Sequence, residues 1–342
     1  MKNNFLTHVF SFSVGSILAF SPFLAFAQQS PDITSQIPEI QEQATVTVDP
    51  EIPKPNDSVS VSIEAFGIDL DRANVSWAVN GKTFTSGTGL KSLNLNAGPI
   101  GKVTKIDITV TPINGPAFTR SVTIAPADVD LIWEADSYTP PFYKGKALYS
   151  YQDNVRVVAL PTLISNGSQV SRSNIIYNWK KNYTAYADKS GFGINYFDVT
   201  GNILTKPDNV AVEVSSAQDS STKAANDVDL IPGDPQVALY EDNPLYGILF
   251  NRALQGSYNL NQAEVKVAAY PYFFGTNAKN GSTLGYAWSI NNNSIDVPTN
   301  QNEVVFRQAT KEKGQSDIAV QINSTDKLLE QAANAISFLI GK

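Results

Sequence analysis

The side chains able to do chemistry in this 342-residue chain are of few kinds, because it has no Cys, one His (His8) and one Met (Met1). Both His8 and Met1 stand in the first 27 residues. There Lys2 precedes the apolar run VFSFSVGSILAFSPFLAFA, which ends in the small-residue pattern Ala25-Phe26-Ala27. Residues 1–27 read as a secretory signal cleaved after Ala27; retained, the segment would be a membrane anchor. Without it the chain has no imidazole, thiol or thioether. Ser-His-Asp and Cys-His nucleophilic sites are then excluded. So are His- or Cys-ligated zinc, iron–sulfur clusters and ordinary haem ligation. Disulfides cannot form, and packing must hold the fold.

Carboxylates remain. A pair of them can hydrolyse a glycoside without His, but 32 acidic residues make pairs everywhere and no spacing singles one out. No P-loop, GxGxxG, GxSxG or HExxH pattern is present. The Asp pairs Asp69/Asp71, Asp128/Asp130 and Asp227/Asp229 offer the oxygens that Ca2+ takes, and an ion at the last two could stiffen a junction. In a strand, however, residues i and i+2 share a face, so Asp128 and Asp130 can simply face water while Val129 and Leu131 point inward. The sequence names no catalytic residue, no cofactor and no metal site.

Aromatic residues are the other candidates. SYTPPFYKGKALYSY (from Ser137) and YPYFFG (from Tyr270) hold more Tyr, Phe and Pro than core strands need. Tyr in loops adds contact area at little entropic cost. Trp133, beside Glu134 and Asp136, and Tyr138, Phe142, Tyr143, Tyr270 and Phe273 are therefore candidates for partner contact. The competing reading has these rings cover the junctions between modules. Formal net charge is −7 with no basic cluster, which argues against nucleic acid. No later stretch is apolar for long enough to span a bilayer, so no membrane insertion is expected once the signal is cleaved.

The elements that must position these residues repeat. VSVSIEAF (from Val59), VRVVALP (from Val155) and VKVAAYP (from Val265) each precede a Trp in a short β-like run: VSWAVNG, IYNWKKN and YAWSINN. Each Trp (Trp77, Trp179, Trp288) precedes a strictly alternating strand: Ile106, Ile108, Val110; Val210, Val212, Val214; Ile318, Val320, Ile322. This is an internal repeat of about 100 residues. Alternation punctuated by Asn80-Gly81 and Asn114-Gly115 gives antiparallel strands joined by tight turns.

A central Trp ahead of a late alternating strand resembles tandem immunoglobulin-like, PKD-like modules of bacterial secreted or surface proteins, over residues 45–342. The expected fold is all-β, three tandem immunoglobulin-like antiparallel β-sandwiches: a flexible spacer at 28–44, then modules at 45–126, 127–226 and 227–342. The tail STDKLLEQAANAISFLIGK has capping residues at Ser324–Asp326 and Leu328, Leu329, Ala332 and Ala333 at helical spacing, followed by Ile336, Phe338 and Ile340 in alternation. It predicts one short helix near the C-terminus and then a closing strand. The expected function is non-catalytic: an exported structural or adhesive protein, extracellular, at the cell surface or in the periplasm, with a protein or glycan partner at the envelope. The alternatives are a carbohydrate- or polymer-binding protein using exposed Tyr and Trp, and a carboxylate-based hydrolase.

Overall fold

The computed structural model describes residues 44–202, 206–276, 283–308 and 313–341. The signal at 1–27 and the spacer up to residue 43 lie outside them. The described residues belong to one compact unit.

The strands run β1 (Ala44–Asp49), β2 (Ser58–Ala65), β3 (Asn74–Val79), β4 (Lys82–Thr88), β5 (Ser92–Asn96), β6 (Thr104–Thr111) and β7 (Phe118–Pro126). Then come β8 (Asp128–Ala135), β9 (Asn154–Thr162), β10 (Ile164–Ser165), β11 (Ser168–Gln169), β12 (Ile175–Lys181), β13 (Thr184–Ala185), β14 (Gly191–Phe192), β15 (Tyr196–Thr200), β16 (Asp208–Ser216) and β17 (Thr222–Leu230). The remainder are β18 (Gln236–Asn243), β19 (Gly247–Ile248), β20 (Ser257–Leu260), β21 (Glu264–Tyr272), β22 (Leu284–Ile290), β23 (Asn293–Ser294), β24 (Glu303–Arg307), β25 (Gly314–Ser324) and β26 (Gln331–Ile340).

One plan recurs. A sheet β1-β2-β5 faces β4-β3-β6-β7; β8-β9-β15 faces β13-β12-β16-β17; β18-β21-β24 faces β23-β22-β25-β26. This is the immunoglobulin-like sandwich with its fourth strand on the larger sheet. The recurrent phrase is the second strand of its sandwich: Val155, Val157 and Ala159, like Val265, Val267 and Ala269, are buried at alternate positions. The prolines that end it pair with Val129 and Val237, the first strands' valines.

Three large hydrophobic clusters, drawn from residues 44–124, 127–230 and 237–340, fill the sandwiches. Trp77, Trp179 and Trp288 sit at 0%, 0% and 1% exposure, opposite Ile108, Val212 and Val320. Their indole N–H groups donate to the carbonyls of Leu90, Ile194 and Gln301, each at 2.9 Å. A buried indole thus keeps its polar handle satisfied while the ring fills the core. Three residues beyond each Trp stands an Asn with positive φ: Asn80 (49°), Asn182 (49°) and Asn291 (47°). Each opens a two-residue turn of the I′ kind, and its Oδ1 accepts from the N–H of Lys105, Asn209 or Asp317 at 2.8–2.9 Å, tying the turn to the neighbouring strand β6, β16 or β25.

The tail departs from expectation. Among the described residues there is no α-helix, and Gln331–Ile340 is a strand throughout, paired antiparallel with Gly314–Asn323. Continuous pairing satisfies ten residues of backbone, which a helix would take away from β25; tertiary pairing overrides the helical preference of the Ala-rich stretch. The leucines at helical spacing are not core: Leu328 is 81% exposed. The closing strand itself is present, with Ile336 and Phe338 buried.

The seams are short. A single buried residue, Ala127, separates β7 from β8. β7 and β17 pair in parallel at Thr222↔Ala125 and Lys223↔Pro126, fusing two larger sheets into one of nine strands. The boundary expected between 226 and 227 falls inside β17, whose pairing continues to Leu230.

Candidate functional site

The connection from β8 to β9, residues 136–153, does not stay on its own sandwich. Tyr138 donates its N–H to the Phe274 carbonyl at 2.7 Å, and Phe273 N–H donates back to the Tyr138 carbonyl at 2.8 Å. This strap lies on the outer face of β18 and β21. Tyr240, Ala268 and Tyr270 are buried there, with Tyr138, Ile248, Phe250 and Tyr272 packed against them. Phe250 lies 5.0 Å from Tyr270 and 5.2 Å from Tyr240 in edge-to-face geometry. Tyr143 meets Tyr272 at 5.9 Å and Phe273 at 5.7 Å, and Phe142 meets Phe250 at 6.1 Å. The Tyr240 and Tyr272 hydroxyls share a hydrogen bond of 2.6 Å. Burial pushes the Tyr138 phenol up to about 12. It raises Tyr272 as well, with help from the bond to Tyr240.

Five of the six sequence candidates, Tyr138, Phe142, Tyr143, Tyr270 and Phe273, therefore meet in one aromatic cluster. Tyr270 and Phe273 are buried within it, so they cannot touch a partner directly. Phe142 is 83% exposed and Tyr143 38% exposed. Phe142 also has φ +70°, costly for a bulky residue and of the kind found at functional positions. Trp133 is elsewhere: it packs against the second core under Lys146 Nζ, 3.1 Å from the ring centroid.

Sequence reading missed Tyr240, Phe250 and Tyr272. The available signal was the loss of alternation in β21, where Ala268–Pro271 is buried on both faces, as in a strand covered from both sides.

Beneath the strap's end lies a buried polar group. Ser150 and Asp153, at 0% exposure, come from the strap; Lys327 and Glu330 come from the β25–β26 turn. Lys327 Nζ donates to Asp153 Oδ1 and to the Gly275 carbonyl at 3.3 Å, and lies 3.6 Å from Glu330 Oε1. The Ser150 N–H and hydroxyl reach Asp153 Oδ2 at 3.1 and 2.8 Å, and the same hydroxyl is 3.0 Å from Glu330 Oε1. Gly275 N–H donates to Glu330 Oε1 at 2.6 Å. A side chain at 275 would collide with Lys327 Nζ and Asp153 Oδ1, so the backbone approaches as only Gly allows. Burial raises the Asp153 carboxyl above its ordinary range, against the opposing pull of Lys327 and Ser150. Glu330 Oε2 is buried without a partner.

The Asp pairs considered for Ca2+ have other neighbours. Asn209 donates to Asp227 at 2.8 Å and to Asp229 at 2.9 Å, Asp128 accepts its neighbour's N–H, and Asp71 pairs with Lys91. Among the described residues no three acidic, His or Cys side chains gather.

No protein-family model matches the chain, and no curated protein matches it. Solved structures align at low similarity. The three N-terminal domains of the bacteriophage RB49 highly immunogenic outer capsid protein are 10% identical, with 88% of this chain and 99% of that one covered at a TM-score of 0.27. The central fibronectin-III array of RIM-binding protein is 15% identical, with 90% and 100% covered at 0.28. The Bacteroides ovatus mixed-linkage glucan utilization locus SGBP-B, in complex with a mixed-linkage heptasaccharide, is 11% identical, with 86% and 70% covered at 0.20. The chain is similar to tandem immunoglobulin-like and fibronectin-III arrays. Its fold assignment rests on the strand order described above.

Proposed function

We propose that this chain is an exported, non-catalytic structural or adhesive protein of the cell surface or periplasm, with three sandwich modules and no cofactor. The observation that carries the reading is the strap. An 18-residue connection (136–153) of one sandwich is laid across the aromatic face of the next, leaving Phe142 and Tyr143 outward. Bonded seams suit a protein that holds its modules in fixed relation, and outward aromatics on a strap suit contact with a protein or glycan of the envelope. The test compares binding of the purified chain and its Phe142→Ala variant to envelope material. A loss of about tenfold or more, with circular dichroism unchanged, is expected for a hot-spot ring. Equal binding by both would remove the strap from the interface.

A second reading, glycan or polymer binding, has its own observation. Tyr183 stands at the β12–β13 turn, 92% exposed, with Phe192 also exposed. Glycan-array binding lost on Tyr183→Ala and kept on Phe142→Ala would favour it.

A further inference from the structure

The buried group between Asp153 and Lys327 has the parts of an amide-forming site. A primary amine is bonded to a carboxyl group that is wholly out of solvent, and a second buried carboxylate stands 3.6 Å from the amine. We propose that Lys327 and Asp153 are joined by an intramolecular amide bond that the folded protein forms itself, with Glu330 as the acid–base group.

The chemistry balances without a co-reactant. Within the buried pair, a proton passes from the Lys327 ammonium to Asp153, giving an amine and a neutral carboxylic acid. The pocket suits that state, because taking two charges out of water is costly and burial already favours the protonated form of Asp153. The Nζ lone pair attacks Cγ of Asp153. Ser150 N–H and hydroxyl, both on Oδ2, stand where negative charge develops. Glu330 accepts a proton from Nζ and passes it to the departing Oδ1 hydroxyl, which leaves as water. The Nζ–Cγ bond forms, the Cγ–O bond breaks, one water is lost and Glu330 returns to its starting form. Nothing is oxidised or reduced.

Three further observations fit this step. Glu330 Oε2 is buried with no partner, so one oxygen of the acid–base group is uncommitted. Gly275 lets the backbone approach the pair closely, its carbonyl accepting from the amine at 3.3 Å. The two reacting residues are held by separate folded sandwiches, so their proximity is set by folding and not by a search at the moment of reaction. The pair Lys181–Asp208, also buried, is a useful contrast. Asp208 accepts N–H donors on both oxygens, from Asn182 at 2.8 Å and Asn202 at 3.2 Å, so neither oxygen is left for an amine alone. In a chain without Cys, an amide at this seam would do what a disulfide does elsewhere.

The test is the mass of the purified, denatured full chain, compared with its Lys327→Arg variant after correction for the substitution. The wild type should be lighter by one water, and its tryptic digest should contain a branched product joining residues 147–156 to residues 314–342. Lys327→Arg and Asp153→Ala should show full mass. Glu330→Gln should show full mass or much slower water loss. A wild type of full mass after prolonged incubation overturns the proposal, as does a water loss that survives Lys327→Arg. Because the wild type is measured denatured, the result does not depend on whether any variant folds.

Discussion

Asn226 and Asn334 make the same bond in successive sandwiches: each side-chain amide donates to a first-strand carbonyl, Val129 at 2.9 Å and Val237 at 2.8 Å. Each Oδ1 also accepts the N–H of the following residue. Asn226 lies opposite Val212 and Asn334 opposite Val320, the core residues that also face Trp179 and Trp288. The first sandwich places Arg120 at this register, opposite Ile108, and its Nε donates to the Ala44 carbonyl at 3.2 Å. A last-strand side chain thus clasps the first strand of the facing sheet in all three.

Removing either clasp should cost stability without altering the fold. Asn226→Ala and Asn334→Ala are each expected to lose about 1 kcal/mol, the net worth of a typical hydrogen bond, and up to about 3 if the carbonyl stays dry. Urea midpoints of the two single variants check this. No shift in either would mean that water replaces the amide at no cost.

The tryptophans separate packing from hydrogen bonding. Trp→Ala at 77, 179 or 288 should cost about 3–5 kcal/mol through lost burial and the cavity left behind. Trp→Phe keeps much of the ring but strands the carbonyl of Leu90, Ile194 or Gln301, with an expected cost of about 1–3 kcal/mol for that bond plus the smaller volume. If Phe proves as harmful as Ala at two of the three sites, the indole N–H matters more than the buried ring.

The frame was legible in the sequence because period-2 alternation and a large aromatic report burial directly. Ile106, Val212 and Ile322 announce an inward face wherever they are placed. The tail was misread because Leu328, Leu329, Ala332 and Ala333 fit helical spacing as well as a turn followed by a strand; long-range pairing with Gly314–Asn323 decides between them, and that pairing has no local signature. The aromatic candidates were legible as a composition, while their burial was not. Whether Tyr270 faces solvent depends on a strap arriving from Tyr138. The Asp153–Lys327 pair could not be found at all, since residues from two sandwiches meet there without a motif.

Tyr183 gives a prediction whose sign is unusual, a gain on deleting a side chain. It has φ +65° in the position that Gly81 and Asn292 take in the other two sandwiches, and it is almost fully exposed. A left-handed conformation costs an L-residue roughly 1–2 kcal/mol, and the extra unfolded-state entropy of Gly returns part of that. Tyr183→Gly should therefore stabilise the chain by about 0.5–1 kcal/mol. A thermal or urea midpoint that falls would show that the ring earns its place by packing against the chain.

Alkaline pH should destabilise the second and third sandwiches together with the aromatic seam between them. Burial holds the phenols of Tyr138 and Tyr149 up to about 12, and those of Tyr272 and Tyr286 are raised too. Unfolded phenols titrate near 10. Between those values the folded chain keeps protons that the unfolded chain has released, so stability falls as pH rises. The contribution is whole below pH about 10 and is lost as pH climbs through about 12. Tyrosinate absorbance should then show two classes among the 14 tyrosines, the exposed ones near the ordinary value and this set later or only on unfolding. Tyr138→Phe removes one titrating group from the seam, so its urea midpoint should fall less steeply with pH than that of the wild type. A single absorbance transition near 10 with the fold intact would mean that these rings are solvated, and the aromatic seam would not be closed.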